Sequence, residues 1–279
     1  MKFKIVADSS SNIFHLPDVA YTSVPLKILS SKEEYVDDGQ LDVSDMVAHL
    51  KAEKSAASTS CPNMIEWGEA FEDAENVFAL AITSQLSGAY NAALQAAGEF
   101  KRNHPDRRIY VLDTLSTGPE IQLLIEKLQE SILADGTFEE IRAALREYHK
   151  HTHLLFALQS LDNLAKNGRC SMALAKVAGV LGIRVVGRAS AQGTLEPLAK
   201  PRGEQKALES LLNEMAKGGF KGGKVRIAHC FNPKAAEGLK QMILDCFPGS
   251  DVQILPCGGL CSYYADLGGL LVGYEDGLE

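Results

Sequence analysis

The chain has 279 residues, a net charge of −8 and 46% apolar residues. That length can bury one large core or two ordinary ones. An acidic chain with no block of Lys and Arg argues against nucleic acid as a partner, because phosphate binding needs a concentrated basic face. The N-terminal stretch MKFKIVADSSSN passes directly into a strand-like run, with no apolar signal region, and no segment approaches the roughly 18 apolar residues of a membrane span. The expectation is a cytoplasmic protein whose contact with membranes is at most transient. Six scattered cysteines read as free thiols in a reducing compartment. Cys257 and Cys261 form a C-x3-C pair with no second ligand pair nearby, so neither a metal nor another cofactor is expected.

In chain order, FKIVA (Phe3 to Ala7) is a buried strand closed by the turn-forming residues Asp8 to Asn12. TSVPLKIL (Thr22 to Leu29) is a second strand candidate. An acidic turn, EEYVDDGQLD, and a helical VSDMVAHLKAE come next. Buried strands at Asn76 to Ile82 and Arg107 to Asp113 are each followed by an amphipathic helix, Ala89 to Phe100 and Pro119 to Leu133. Pro119 suits a first helical turn. Strands alternating with helices of this length imply right-handed crossovers and a mainly parallel sheet.

Beyond His149 to His153 the texture changes. LLFALQ reads as a strand, SMALAKVAGVLG as a helix, and RVVGRASAQGTLEPLAK as a hairpin about Gln192-Gly193. A helix with Leu208, Leu211, Leu212 and Met215 on one stripe precedes strand, helix and strand at 224–229, 233–247 and 252–255. The glycine-rich CGGLCSYYADLGGLLVGYE reads as a loop that permits close backbone approach. The expected architecture is an N-terminal α/β domain over 1–152 and a C-terminal α+β domain over 153–279, with a ligand cleft between them.

Ligands of open α/β sheets gather at the carboxyl ends of the strands. Three hydroxyl-rich loops fall there: DSSSN, TSQLSG and DTLSTG. TSQLSG, with Ser84, Ser87 and Gly88, opens a helix and could receive an anion on its free N–H groups, or Ser87 could simply cap that helix. The G-x-S-x-G elbow of a serine hydrolase is absent, as are the glycine patterns of phosphate loops. In TSCPN, Asn63 and Glu66 make a capping box, which leaves Thr59 and Ser60 for another role. Arg169, placed before a helix where its charge opposes the dipole, should have a specific partner. Arg202 opens a helix from a loop and reads as an ion-pairing residue.

Together these segments resemble the DegV proteins, bacterial fatty-acid-binding proteins. The resemblance rests on ADSSSN, VPLKI, DDG, TSCPN, ITSQLSGAYNAA, VLDTLSTG, LDNLAKNGR and GTLEPLAKPRGEQKAL, in family order over nearly the whole chain. It implies two α/β domains enclosing a long-chain fatty acid, with Thr59, Ser87 and the Gly88 N–H on the carboxylate. It also implies presentation of that acid to a separate ATP-dependent kinase that makes acyl-phosphate for phospholipid synthesis. Ser60, Ser84, Arg169, Arg202 and Tyr264 are candidate head-group or partner-facing residues, and no catalytic residue is expected. The chain departs from the family where many members carry His-Thr-Gly-Pro-Gly: Tyr264 stands for the histidine, offering a hydroxyl but no cation. Asn167 replaces a family glycine. The alternatives are a serine hydrolase acting through Ser87 and a carboxylate sensor without a kinase.

Overall fold

The computed structural model describes residues 2–53, 57–178 and 180–277. Strand β1 (Phe3–Asp8) ends in a 3-10 turn at Ser9–Ser11. Strands β2 (Ala20–Val24), β3 (Lys27–Leu29) and β4 (Glu34–Val36) lead to helix α1 (Val43–Ala52). Strand β5 (Ser58–Ser60), α2 (Met64–Phe71), β6 (Asn76–Ala81), α3 (Ala89–Asn103), β7 (Arg108–Asp113), α4 (Pro119–Leu133) and α5 (Phe138–Tyr148) follow. Next come β8 (Thr152–Leu158), α6 (Asp162–Lys166), α7 (Met172–Ala178), the hairpin of β9 (Val185–Ala189) and β10 (Leu195–Ala199), and α8 (Glu204–Lys217). The chain closes with β11 (Lys224–His229), α9 (Pro233–Cys246), β12 (Asp251–Pro256), α10 (Gly259–Ala265) and β13 (Leu270–Glu275).

The described residues form three sheets. The order β2-β1-β6-β7 is wholly parallel, as helices returning between its strands require. The mixed sheet β10-β9-β8-β13-β11-β12 takes every strand from β8 onward, and a small sheet β4-β3-β5 stands beside the first. The parallel sheet is covered by α2 and α3 on one face and by α4 and α5 on the other. Alanines at 89, 93, 96 and 97 let α3 lie close to its neighbours.

Several expectations need correction, among them the acidic turn, within which Glu34–Val36 is strand β4. The single strand at 22–29 is two strands in two sheets. Pro25 has no N–H to continue a ladder, and the Leu26 N–H goes to the Ser9 hydroxyl at 3.0 Å instead. The glycine-rich C-terminal loop is α10 followed by β13, a central strand of the mixed sheet. Gly273 in β13 is required by α4, since a Cβ there would stand 2.5 Å from the Pro119 backbone. The predicted helix from Ser171 ends at Ala178, and Gly179 lies outside the described residues.

Helix α4 lies between the two large sheets, and Pro119 through Ile125 are all buried. Its apolar side packs into the core of the parallel sheet. On the mixed-sheet side, the Arg226 guanidinium of β11 holds Glu126 through two 2.7 Å bonds and reaches Asp251 at 2.7 Å.

The first hydroxyl-rich loop has structural work. Asp8, Ser9, Ser10 and Ser11 are wholly buried. The Asp8 carboxylate accepts the Ser10 N–H, the Ser10 hydroxyl and the Ile82 N–H, tying the end of β1 to the end of β6. Burial outweighs these bonds and pushes the carboxyl up to about 6. The folded state then holds a proton that the unfolded chain releases near pH 4, so stability falls as pH rises from about 4 to about 6, by about 3 kcal/mol in total. Asp8→Asn should lose that decline while being less stable overall, because the amide cannot accept all three donors. Urea unfolding of both proteins across this range checks the point, and a constant difference between the two curves would show a carboxyl already ionised.

Candidate functional site: an apolar cavity with a hydroxyl-lined end

A cavity of about 290 Å³ lies where the carboxyl ends of the parallel sheet meet the mixed sheet. This is the crevice in which open α/β sheets place ligands, and the volume lies close to the lower bound of the small-molecule range, roughly 300–1,000 Å³. Strand β8 supplies one wall. Leu154, Phe156 and Leu158 are two residues apart and face the cavity, while Leu155 and Ala157 point into the core beneath α8. Leu271 of β13, paired with Phe156, continues this wall. The Phe156 ring lies over Gly187, where a Cβ would stand 2.4 Å from it. Leu26, Ile82, Leu164, Leu195 and Leu260 supply further apolar surface.

The polar groups belong to five segments, Thr117 from the loop before α4 and Arg169 from the turn after α6 among them. Thr59, Ser60 and Cys61 come from β5 and the turn after it, Ser87 and Gly88 from the loop before α3, and Tyr264 from α10. The side chains of α2 and α3 pack with Phe71 against Phe100, and a Cβ on Gly88 would stand 3.2 Å from the Cys61 Sγ. The two helices therefore start side by side at this end of the cavity. Asn63 caps α2 as expected, accepting the Ile65 and Glu66 N–H groups, while Glu66 accepts the Asn63 N–H. Gly88 is the cap residue of α3 and provides no side-chain bond; the Ser87 Oγ accepts the Ala89 N–H at 3.2 Å. The Gly88 N–H has no acceptor among the described residues. Ser87 thus performs part of a cap's work, and its hydroxyl proton remains available to a ligand.

Thr59 Oγ1 and the Tyr264 hydroxyl are 2.7 Å apart. Burial raises the Tyr264 phenol, against the opposing effects of the Thr59 bond and the Arg169 charge, so the group stays a neutral donor. Arg169 is the sole charged side chain among the cavity's lining residues. Its Nε donates to the Leu86 carbonyl at 3.1 Å, and Nη1 donates to the Asn167 carbonyl at 2.5 Å. The specific partner expected of Arg169 is thus the carbonyl one residue before Ser87.

The structure brings together Thr59, Ser60, Ser87, Gly88, Arg169 and Tyr264, but not Ser84 or Arg202. The Ser84 N–H donates to Asp113 at 3.1 Å, outside the lining. Arg202 is exposed and forms an isolated bridge with Ile183. Neither therefore stands where it could meet a ligand in this cavity. Thr117 lies in DTLSTG, one of the three hydroxyl-rich loops, whereas sequence reading missed Cys261 and the β8 wall as lining. The alternation in LLFAL carried a signal for that wall, but the run is apolar at every position and both faces read alike. Cys61 and Cys261 also line the cavity, and burial pushes the Cys261 thiol up to about 12, which keeps it un-ionised.

A largely apolar cavity with a cluster of hydrogen-bond donors and one cation in its lining is the layout of a protein that takes up an amphiphilic small molecule. The chain belongs to the DegV family: a family model described as uncharacterised proteins of the DegV family matches residues 2–275. A DegV domain-containing protein of Streptococcus pneumoniae is 43% identical over 279 residues, covering 99% of each chain. The fold is similar to that of the S. pneumoniae Fatty Acid Kinase (Fak) B3 protein loaded with linoleic acid, with a TM-score of 0.98, 42% identity and coverage of 99% of this chain and 100% of that one. A DegV family protein from Eubacterium eligens loaded with heptadecanoic acid gives a TM-score of 0.96 at 41% identity, with the same coverage.

Proposed function

We propose that this protein binds a long-chain fatty acid in the cavity between its two large sheets and carries it to a separate kinase, having no catalytic group of its own. The observation that carries this reading is the charge balance of the lining: one arginine, no acid, a cluster of neutral donors and a surface otherwise mostly of hydrocarbon. Such a site complements a monoanion with a long apolar tail. In this reading Thr59, Ser87 and the Gly88 N–H bind the carboxylate, with Ser60, Tyr264 and Arg169 beside it. Burying an acyl chain of about 16 carbons at roughly 0.8 kcal/mol per CH2 gives on the order of 12 kcal/mol before entropic costs. The head group then needs only enough hydrogen bonds to orient it.

Hydrolysis through Ser87 finds no support in the surroundings of that residue. A nucleophilic serine needs a base within hydrogen-bond reach, no histidine lines the cavity, and the Ser87 Oγ is engaged with the Ala89 N–H. The kinase role draws its support from the likeness to the Fak B3 protein. Arg202, exposed and away from the cavity, suits a partner-facing position.

Protein purified from a bacterial host should release about one long-chain fatty acid per chain on denaturing extraction, detected by mass spectrometry. Extracts without stoichiometric lipid would overturn the carrier reading. Acyl-phosphate production with ATP and an added kinase subunit tests the second part separately.

A further inference from the structure

Asn167 does not line the cavity, yet it is bonded to the scaffold of its polar end. It sits in the turn after α6, where the same turn's Gly168 has a φ of +75°, and its side-chain Nδ2 lies 2.9 Å from the Asn163 carbonyl, 3.0 Å from the Tyr263 hydroxyl and 3.3 Å from the Ala57 carbonyl. The Tyr263 hydroxyl in turn donates to the same Ala57 carbonyl at 2.6 Å. Ala57 stands two residues before Thr59, and Tyr263 stands next to Tyr264. The Thr59–Tyr264 hydroxyl contact therefore closes a ring whose other side is the Asn167–Tyr263–Ala57 node. Among the described residues, strand β5 is an edge strand of three residues whose one strand partner is β3. An edge strand held by one neighbour slides easily unless its backbone is pinned from the other side. The same turn also pins the Ser87 segment, through the Arg169 bond to the Leu86 carbonyl.

We propose that Asn167 is a positioning residue for the head-group site: through the Ala57 carbonyl and the Tyr263 hydroxyl it fixes the height of Thr59 against Tyr264, and so sets the preference for a carboxylate over a neutral head group. This rests on the fatty-acid reading above. The acyl wall formed by β8 and β13 is built without Asn167, so the turn governs what the polar end selects and leaves the hold on the tail alone. A glycine at 167 removes all three side-chain contacts while keeping a backbone compatible with the adjoining turn.

The test compares binding of a long-chain fatty acid and of the fatty alcohol of the same length to the wild type, Asn167→Gly, Thr59→Val and the double variant. Asn167→Gly should weaken the acid by about tenfold, the scale of one net hydrogen bond, and the alcohol by much less. In the Thr59→Val background the same change should add almost nothing, because the residue it positions is gone. Equal losses for acid and alcohol, or full additivity with Thr59→Val, would show a general structural role and overturn the proposal. Wild-type protein that binds neither ligand would instead refute the fatty-acid reading itself. Thermal unfolding of each variant identifies one that fails to fold, and Asn167→Ser, which keeps a short polar group in the turn, then takes its place in the same comparison.

Discussion

Thr59→Val combined with Ser87→Ala should lower affinity for a long-chain fatty acid by about a hundredfold or more. Each substitution removes a hydroxyl at the one end of the cavity that can meet a charge. Hydrogen bonds to charged groups contribute roughly 1.5–3 kcal/mol each, so two lost together come to at least about 3 kcal/mol. The change at Thr59 also deprives the half-buried Tyr264 hydroxyl of its 2.7 Å partner, a cost borne by the free protein and the complex alike, so that it lowers stability rather than affinity. The tail contacts are untouched, so a methyl ester of the same acid should bind the double variant almost as it binds the wild type. Competition against a fluorescent fatty acid measures both. Undiminished affinity for the acid would remove the head-group assignment.

Arg226→Met is the substitution with the largest expected effect on stability, a loss of about 3 kcal/mol. Arg226 is 2% exposed. Burial alone would lower its pKa, but Glu126 and Asp251 outweigh that and hold it above the ordinary arginine value. Methionine keeps the apolar stem and leaves Glu126 without its two bonds, with Lys224 the remaining cation near it at 3.8 Å. Adding Glu126→Gln should return part of the loss, because the stranded charge is what costs most. Denaturant unfolding of the single and double variants decides this. A double variant no more stable than Arg226→Met would show that the cost lies in lost packing.

Much of this could be read along the chain wherever one local rule governs. The parallel sheet followed from strand and helix alternation, α4 began at Pro119 as its ring geometry favours, and the Asn63 and Glu66 box capped α2. The gathering of Thr59, Ser87 and Tyr264 did not follow from spacing, since the three lie on three segments and meet through tertiary packing. It was the family pattern that paired TSCPN with TSQLSG. Strand β13 was hidden for a physical reason: the glycines that made it look like a loop are there to admit the α4 backbone. The serines of DSSSN misled in the opposite direction. They look like ligand groups because they are polar and stand at a strand end, but all three are buried, with the Ser9 and Ser10 hydroxyls bonded to the chain itself. We propose the boundary between residues 152 and 153 as the division of the two folding units in chain order.

That boundary does not isolate two independent bodies, because of where α4 lies. A helix buried from Pro119 to Ile125 between both large sheets is shared property: peeling away either sheet bares one side of the same helix to water. Partial unfolding of one half is thereby coupled to loss of the other's packing, and intermediate states with one sheet intact are disfavoured. The protein should melt as one cooperative unit, and the amide hydrogens of α4 should be among the last to exchange with solvent.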